Sequence, residues 1–373
     1  MDFNYSEEQQ MLADSLRRFI GAEYPFAVRR TIARSRAGFD RGVWATLAEM
    51  GVLGLTIPAA FGGFGESAAS QLVVQRELGR GIVLEPVIPC AVIAAAVLAG
   101  FGSAPQKDEW LPAIATGQRV LTAAWLEPAS RYRADLAQCT ATREGAGWVL
   151  DGVKCLVWHG QGADAWIVSA RLNGAVALFL VPRDAAGVTL TAYPAMDGQQ
   201  GADLRLDGVR VAADALIGGE AQGLEALEHG LDHGIAAQCA AASGAMERLI
   251  EMTRDYLLTR RQFGQPLAAF QALQHRLADM LVQKECALSM AYVAARALDE
   301  PDLATRRRMV SGAKVIVARA ARFVGQQAVQ LHGGMGMTDE LEVSDYFRYL
   351  TMTDVLLGDT DSHMERYSAA MAA

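Results

Sequence analysis

At 373 residues, with 51% hydrophobic and 20% charged side chains, the chain is long enough for a substantial core and for two or three domains. Its formal net charge of -8 offers no basic footprint for nucleic acid or for an anionic membrane surface. Five cysteines (Cys90, Cys139, Cys155, Cys239 and Cys286) form no C-x-x-C pair, an odd set that fits a reducing compartment better than a disulfide framework. The opening MDFNYSEEQQ is acidic and lacks an apolar h-region, so no signal peptide is expected. The longest apolar run, 87–101, is interrupted by Pro89 and falls short of a ~18-residue span, so a cytoplasmic protein is expected.

Residues 1–118 read as a helical domain. Ser6 with Gln9 makes a capping box, and Leu12, Leu16, Phe19 and Ile20 continue as an apolar stripe. Asp40 can cap a second helix whose inner side carries Val43, Trp44 and Leu47, stopping at Gly51. LGLTIPAAFGGFG then reads as a structural turn, because no well-capped helix follows at phosphate-loop spacing. Helical patterns cover 71–79 and 86–100, and Pro105 opens another.

From Arg119 the period changes. Short runs such as VLTAAWLE, WVLDGVKCLVW, AWIVSAR, VALFLVP and LRLDGVRV are separated by Gly, Asp and Pro turns. About six closely spaced strands without intervening helices predict an antiparallel barrel or sandwich over 119–222. From 223 to 373 the pattern is helical again, with long segments at 224–261, 267–299 and 302–331 and a shorter pair after Asp339. The many alanines permit the close helix contacts of a bundle. The fold class is α+β: helical domain, β-domain, helical bundle.

Two stretches carry most of the functional information. YLLTRRQFGQPLAAFQ places Arg260 and Phe263 three residues apart, on one face of a helix that Gly264 and Pro266 should stop. A guanidinium beside an aromatic ring suits a nucleotide, gripping phosphate oxygens and covering a base. The alternative is an ordinary helix C-terminus with Phe263 in the core. QAVQLHGGMGM ends a helical run in a loop with Gly333, Gly334 and Gly336, where backbone amides can approach a ligand closely.

Together, Arg-x-x-Phe-Gly and Gln-x-x-Gly-Gly in a helical C-terminal half resemble the acyl-CoA dehydrogenase family, and the resemblance covers essentially the whole chain. It implies FAD at a subunit interface, so the chain should be a dimer or an α2β2 tetramer. Arg260 and Phe263 would hold the pyrophosphate and adenine of a neighbouring subunit's FAD. Gln330, Gly333 and Gly334 would reach the same cofactor. It further implies an acyl-CoA substrate and an acceptor such as an electron-transfer flavoprotein, with no nucleic acid or membrane partner. The flavin-contacting run of the β-domain corresponds to Leu126, Glu127 and Pro128. The family's Trp-x-Thr pair corresponds to Leu156 and Trp158.

The reaction implied is α,β-dehydrogenation: a carboxylate removes the α-proton while hydride leaves the β-carbon for the flavin. Counted without a gap from Gln330, the usual glutamate position is Leu357. Counted back from Arg260, the alternative position in some members is Gly234. Asp232 is two residues from Gly234, a ~200° turn away on a helix. Asp359, which can also cap the last helix, is the remaining catalytic candidate. His229 and His233, at i,i+4, are a possible metal pair without a third ligand; His159, His332 and His363 read as loop hydrogen-bonding residues. Arg131 and Arg133 either meet a distal carboxylate or are solvated.

Three functions follow. The first is a helper subunit lending FAD contacts to a catalytic partner, as in the branch containing the small subunit of pimeloyl-CoA dehydrogenase and chains of bacterial steroid and side-chain degradation. The second is a self-sufficient dehydrogenase using Asp359. The third is an acyl-CoA-binding protein without redox function.

Overall fold

The computed structural model describes residues 5–372; the first four residues of the acidic N-terminal run lie outside them. Helices α1 (Glu7–Glu23), α2 (Phe26–Arg34), α3 (Arg41–Glu49) and α4 (Ala68–Arg80) come first. A π-helical stretch (Val87–Ala94) runs on as α5 (Ala95–Phe101) and is followed by α6 (Ala104–Ala115). Eight strands follow: β1 (Leu121–Ala124), β2 (Thr140–Glu144), β3 (Gly147–Trp158), β4 (Ala165–Leu172), β5 (Ala175–Pro182), β6 (Val188–Pro194), β7 (Gln200–Val211) and β8 (Leu216–Ile217). Then come α7 (Gly223–Thr259), the two-residue strands β9 (Arg261–Gln262) and β10 (Gln265–Pro266), α8 (Gln271–Ala297), α9 (Leu303–His332), α10 (Val343–Val355) and α11 (Thr360–Ala372).

The chain divides into two units. One comprises Thr31–Ser67 and Leu84–Gly234. Its strands form one sheet in the order β6-β7-β3-β2-β4-β5-β8, with β1 beside β4. Most pairs are antiparallel, but β1 runs parallel to β4, a departure from the expected pattern with a local cause. Asp164 accepts from the Val120 amide at 2.7 Å through its side chain and donates its own amide to the Val120 carbonyl at 2.8 Å. This double tie sets the two strand starts side by side. Trp166 and Phe179 are wholly buried on the sheet.

Asp40 caps α3 by accepting from the amides of Gly42 (2.7 Å) and Val43 (3.0 Å). The LGLTIPAAFGGFG loop keeps its amides for itself: Phe64 N donates to Gly54 O, Gly65 N to Ile57 O, and Glu66 N to Leu55 O. A side chain at Gly63 would strike the Ile57 carbonyl at 2.1 Å, so glycine there serves the turn. The run 86–100 opens as a π-helix, with Pro89 in its first turn where the missing amide proton is tolerated.

The other unit comprises residues up to Arg30, Ala68–Val83, and Ile235 onward. Within it, α4 and α7 cross through glycines. A Cβ at Gly79 would lie 1.9 Å from Ala241 O, and one at Gly244 1.9 Å from Arg76 O. Flanking charges tie the crossing: Arg76 and Arg80 donate to Glu247 and Glu251 at 2.9 Å, and Arg17 donates to Glu77 at 2.6 Å. The alanine-rich faces of α7, α8 and α9 meet at Ala236, Ala294 and Ala313. Among the described residues no helix is long and apolar enough to cross a membrane.

Candidate cofactor and proton-transfer sites

The segment carrying Arg260 and Phe263 is not the helix face expected from their spacing. α7 ends at Thr259, whose hydroxyl bonds back to the Asp255 carbonyl at 3.0 Å. The chain then makes a hairpin, β9 against β10, whose two-residue loop is Phe263 (φ 55) and Gly264 (φ 82). Two consecutive positive φ values are the signature of a type I′ turn, the geometry whose twist suits a tight hairpin. Gly264 adopts it without cost and Phe263 does not. Arg260 brackets the hairpin through its backbone, donating to Tyr256 O and accepting from Leu267 N, both at 2.8 Å. Its side chain is exposed, and Phe263 is 89% exposed at the tip.

The second motif lies nearby in the same unit. α9 stops at His332, and Gly333 adopts φ 58, ψ -140, a region open essentially to glycine alone. His332 stacks on Tyr256, ring centroids 4.4 Å apart, and Tyr256 sits one turn before Arg260. Tyr256 and His332 thus bring the hairpin and the glycine loop together. A Cβ at Gly333 or Gly334 would meet nothing within 4 Å, so both backbones face open space. Gln330 is exposed beside them. An exposed guanidinium, an exposed aromatic ring and approachable amides fit the phosphate and adenine end of FAD.

The sheet segments are arranged otherwise. Leu126 accepts through its carbonyl from Cys155 N at 2.9 Å. Glu127 is buried in an ion pair with Lys154 (2.5 Å), and its oxygens also accept from the amides of Gln138 (2.6 Å) and Cys139 (3.1 Å). Leu156 lies at a bulge with φ 51, its side chain 52% exposed. Its amide is already engaged by Tyr193 Oη (3.0 Å) and Asp203 Oδ1 (3.2 Å). Burial and the Asp203 carboxylate hold the Tyr193 phenol well above its usual range. The Trp158 indole donates inward to Gln199, which Asp197 holds in turn. The Leu156 amide and the Trp158 indole are thus both committed within the sheet.

Leu357, at one base position, sits in the turn between α10 and α11 with φ 61 and is buried. Asp359 is the N-cap of α11: its Oδ1 accepts from Ser362 N at 2.8 Å. Two buried residues hold this turn, Lys314 and His363. Lys314 Nζ donates to Thr353 O, to Leu356 O (2.7 Å) and to Gln238 Oε1 (3.0 Å). Burial pulls its pKa down to about 8. His363 Nε2 lies 3.0 Å from Leu357 O, and Nδ1 lies 3.2 Å from Ser311 Oγ. A carbonyl only accepts, so Nε2 carries the proton and Nδ1 accepts from the serine. Burial and the nearby Lys314 push the His363 pKa down to about 3, so the ring is neutral. Lys314 was legible in one respect: it sits on the apolar stripe Val310, Lys314, Val317, Ala321, Val324.

The remaining candidates separate. Gly234 and Asp232 are buried in α7. Gly230, one turn before Gly234, packs against Ile93 and Val97 with no room for a side chain. His229 and His233 pack ring to ring at 4.7 Å, with Phe101 against His229. Among the described residues no group of three or more His, Cys, Asp or Glu side chains could hold a metal. His159 is fully buried edge-on against Phe39, and burial lowers its pKa to about 4. Arg131 lies over the Tyr132 ring and Arg133 pairs with Asp135.

Family models agree with this arrangement along the chain. The N-terminal, middle and C-terminal domains of acyl-CoA dehydrogenase match residues 6–118, 123–209 and 221–372. The acyl-CoA dehydrogenase FadE27 of Mycobacterium tuberculosis is 30% identical, over 100% of this chain and 99% of its own. This chain belongs to the acyl-CoA dehydrogenase family. Its fold matches a chain of the ChsE4-ChsE5 complex from Mycobacterium tuberculosis with a TM-score of 0.91 and 28% identity, covering 100% and 99% of the two chains. It also matches a glutaryl-CoA dehydrogenase from Mycobacterium smegmatis in complex with FADH2, TM-score 0.90 and 25% identity, covering 98% and 95%. The family is FAD-dependent, and this chain is a flavoprotein of that family.

Proposed function

We propose that this chain is a helper subunit in acyl-CoA α,β-dehydrogenation. It lends Arg260, Phe263, Gln330, Gly333 and Gly334 to FAD held mainly by a catalytic partner chain of the same family, in a dimer or α2β2 tetramer. Arg260 would pair with the pyrophosphate, Phe263 would cover the adenine, and the amides at Gly333 and Gly334 would approach the cofactor. FAD would supply the hydride acceptor, and an acceptor such as an electron-transfer flavoprotein would reoxidise it. The observation that carries the reading is the state of the Leu357 turn: residue 357 is apolar, and Asp359, the nearest carboxylate in sequence, is tied to the first turn of α11. The pairing of two different chains in the ChsE4-ChsE5 neighbour supports it. The small-subunit branch, including that of pimeloyl-CoA dehydrogenase, is the place in the family that fits such a chain.

The test is dye-linked dehydrogenation with linear, dicarboxylic and sterol-side-chain CoA esters, for the chain alone and with the family member encoded beside it. Flavin content per chain is measured in both. Turnover should appear on mixing and be indifferent to Asp359→Asn. The lone chain should be slower by the ~10²–10⁴-fold that a missing general base costs. Fast turnover by the lone wild type, abolished by Asp359→Asn, would establish the self-sufficient enzyme instead.

A further inference from the structure

The hairpin and the glycine loop each end in open space. A Cβ at Gly264, Gly333 or Gly334 would meet nothing within 4 Å. Each tip is held by its own backbone: Leu267 N donates to Arg260 O on the hairpin, and Gly333 N to Gln330 O on the loop. Two side-chain contacts tie the roots of these segments together. Arg276 in α8 donates to Gln327 in α9 at 2.8 Å, but that pair is exposed and water competes for it. Tyr256 and His332 make the other contact, and His332 is buried.

The Tyr256 and His332 rings lie 4.4 Å apart and are tilted by 30°, within stacking reach. His332 Nδ1 lies 2.8 Å from Ala328 O. A carbonyl only accepts, so Nδ1 carries the proton and the imidazole is fixed on α9. The loop returns onto the same residue at Gly336, where a Cβ would lie 3.0 Å from the His332 Cβ and 2.7 Å from Val329 O. The third glycine of the motif therefore serves this packing. Tyr256 Oη donates at 3.4 Å to His332 O, the carbonyl of the peptide that leads into Gly333. The Tyr256 carbonyl accepts from Arg260 N at 2.8 Å, where the chain leaves α7 for the hairpin. One aromatic pair thus joins the two helix ends at the points where the two motifs begin.

We propose that Tyr256 and His332 are positioning residues for the cofactor surface, setting the Arg260–Phe263 hairpin and the Gly333–Gly334 loop at one separation before FAD arrives. The rings act through the segments they join. The proposal rests on the reading that these two motifs meet FAD. Two segments that must be ordered on the arrival of one elongated ligand lose affinity to that ordering, and a stack made beforehand removes the loss.

FAD affinity is measured in whichever assembly holds the flavin, this chain with the family member encoded beside it or with a second copy of itself. Amide hydrogen exchange is measured on the chain alone. Tyr256→Leu keeps the bulk, loses the stack and should weaken FAD binding about five- to ten-fold. Tyr256→Phe keeps the stack and should stay within about two-fold of wild type, since the hydroxyl contact it gives up is long. Tyr256→Leu with His332→Leu should bind within about two-fold of the weaker single variant, because the two rings make one contact. In a chain already carrying Arg260→Ala and Phe263→Ala, Tyr256→Leu should shift affinity by less than about two-fold, since no hairpin contact is left to place. A ring that only stabilised the fold would lower flavin binding equally in both backgrounds. In the lone chain, His332→Leu should quicken amide exchange at 260–265, and Tyr256→Leu should quicken it at 333–338. FAD affinity unmoved by Tyr256→Leu, a loss equal in the two backgrounds, or exchange that quickens only in the substituted segment overturns the proposal. Affinity indifferent to Arg260→Ala overturns the cofactor reading instead, and the reciprocal exchange still decides whether the stack joins the two segments.

Discussion

The helical unit and the sheet unit have treated their family motifs in opposite ways. In the first, Arg260 and Phe263 stand exposed on a hairpin and Gly333 and Gly334 face open space. In the second, the groups at the corresponding flavin segments satisfy one another: Leu156 N is taken by Tyr193 and Asp203, Trp158 by Gln199, and Glu127 by Lys154 and two amides. Polar groups facing a ligand stay available, because their hydrogen bonds are made on binding. Polar groups without one are buried only when paired internally. The contrast accords with the proposed helper role.

The largest effect that separates the units concerns acid. The sheet unit holds the buried neutral His159 (pKa about 4) and the helical unit the buried neutral His363 (about 3), and burial lowers the pKa of His332 in the helical unit as well. Unfolding returns His159 and His363 to an ordinary value near 6.5, so the unfolded chain takes up protons that the folded chain refuses. Their contribution is complete above pH 6.5 and is lost as pH falls. Between pH 6 and 4 each costs up to ~1.4 kcal/mol per pH unit, or ~2.7 kcal/mol together. Thermal denaturation across this range should show the loss. His159→Gln and His363→Gln should each flatten it in part, with His332 accounting for some of the remainder, and His363→Gln should also flatten what remains below pH 4. A slope unchanged in either variant would mean that histidine is not the buried acid-sensitive group.

Arg260→Ala addresses the exposed side of the comparison. Removing a charge-assisted contact to phosphate should cost ~1.5–3 kcal/mol, ten- to a hundred-fold in FAD affinity of the assembly. Retained flavin is measured after gel filtration, where colour should run only with a dimer or larger species. Unchanged retention, or a yellow monomer, would remove the hairpin from the cofactor site.

The domain order and most helices were legible because their signals are local: the Ser6–Gln9 box, the Asp40 cap and the change of period at Arg119 all depend on near neighbours. Two features were not. The spacing of Arg260 and Phe263 matched a helix face, but the chain turns at Thr259 and folds Phe263-Gly264 into a hairpin loop that a helical period cannot reveal. The parallel β1–β4 pair depends on Asp164 reaching Val120, 44 residues away. The base position fared differently again. Sequence showed that Leu357 could not accept a proton, but the frame ties Lys314 to Leu356, 42 positions on, and Ser311 to His363, 52 positions on. Nothing local announces such a frame except a lysine on an apolar stripe.

The smallest effect tests the sheet side of the comparison. Leu156 is held at φ 51 by its bulge and shows half its side chain to solvent, so it bears left-handed strain while burying little. Leu156→Gly relieves ~1–2 kcal/mol of that strain. It also loosens the unfolded chain, which takes back ~0.4–1 kcal/mol, and some apolar contact is lost. The net change in stability should therefore lie within about 1 kcal/mol of zero, read from a denaturant midpoint at constant slope. On the helper reading FAD retention by the assembly should not move, because the amide at residue 156 remains committed to Tyr193 and Asp203. A clear fall in retention, with stability intact, would mean that this sheet also lines a cofactor. The two units would then both be binding surfaces, and the helper assignment would have to give way to a chain that fills its own flavin site.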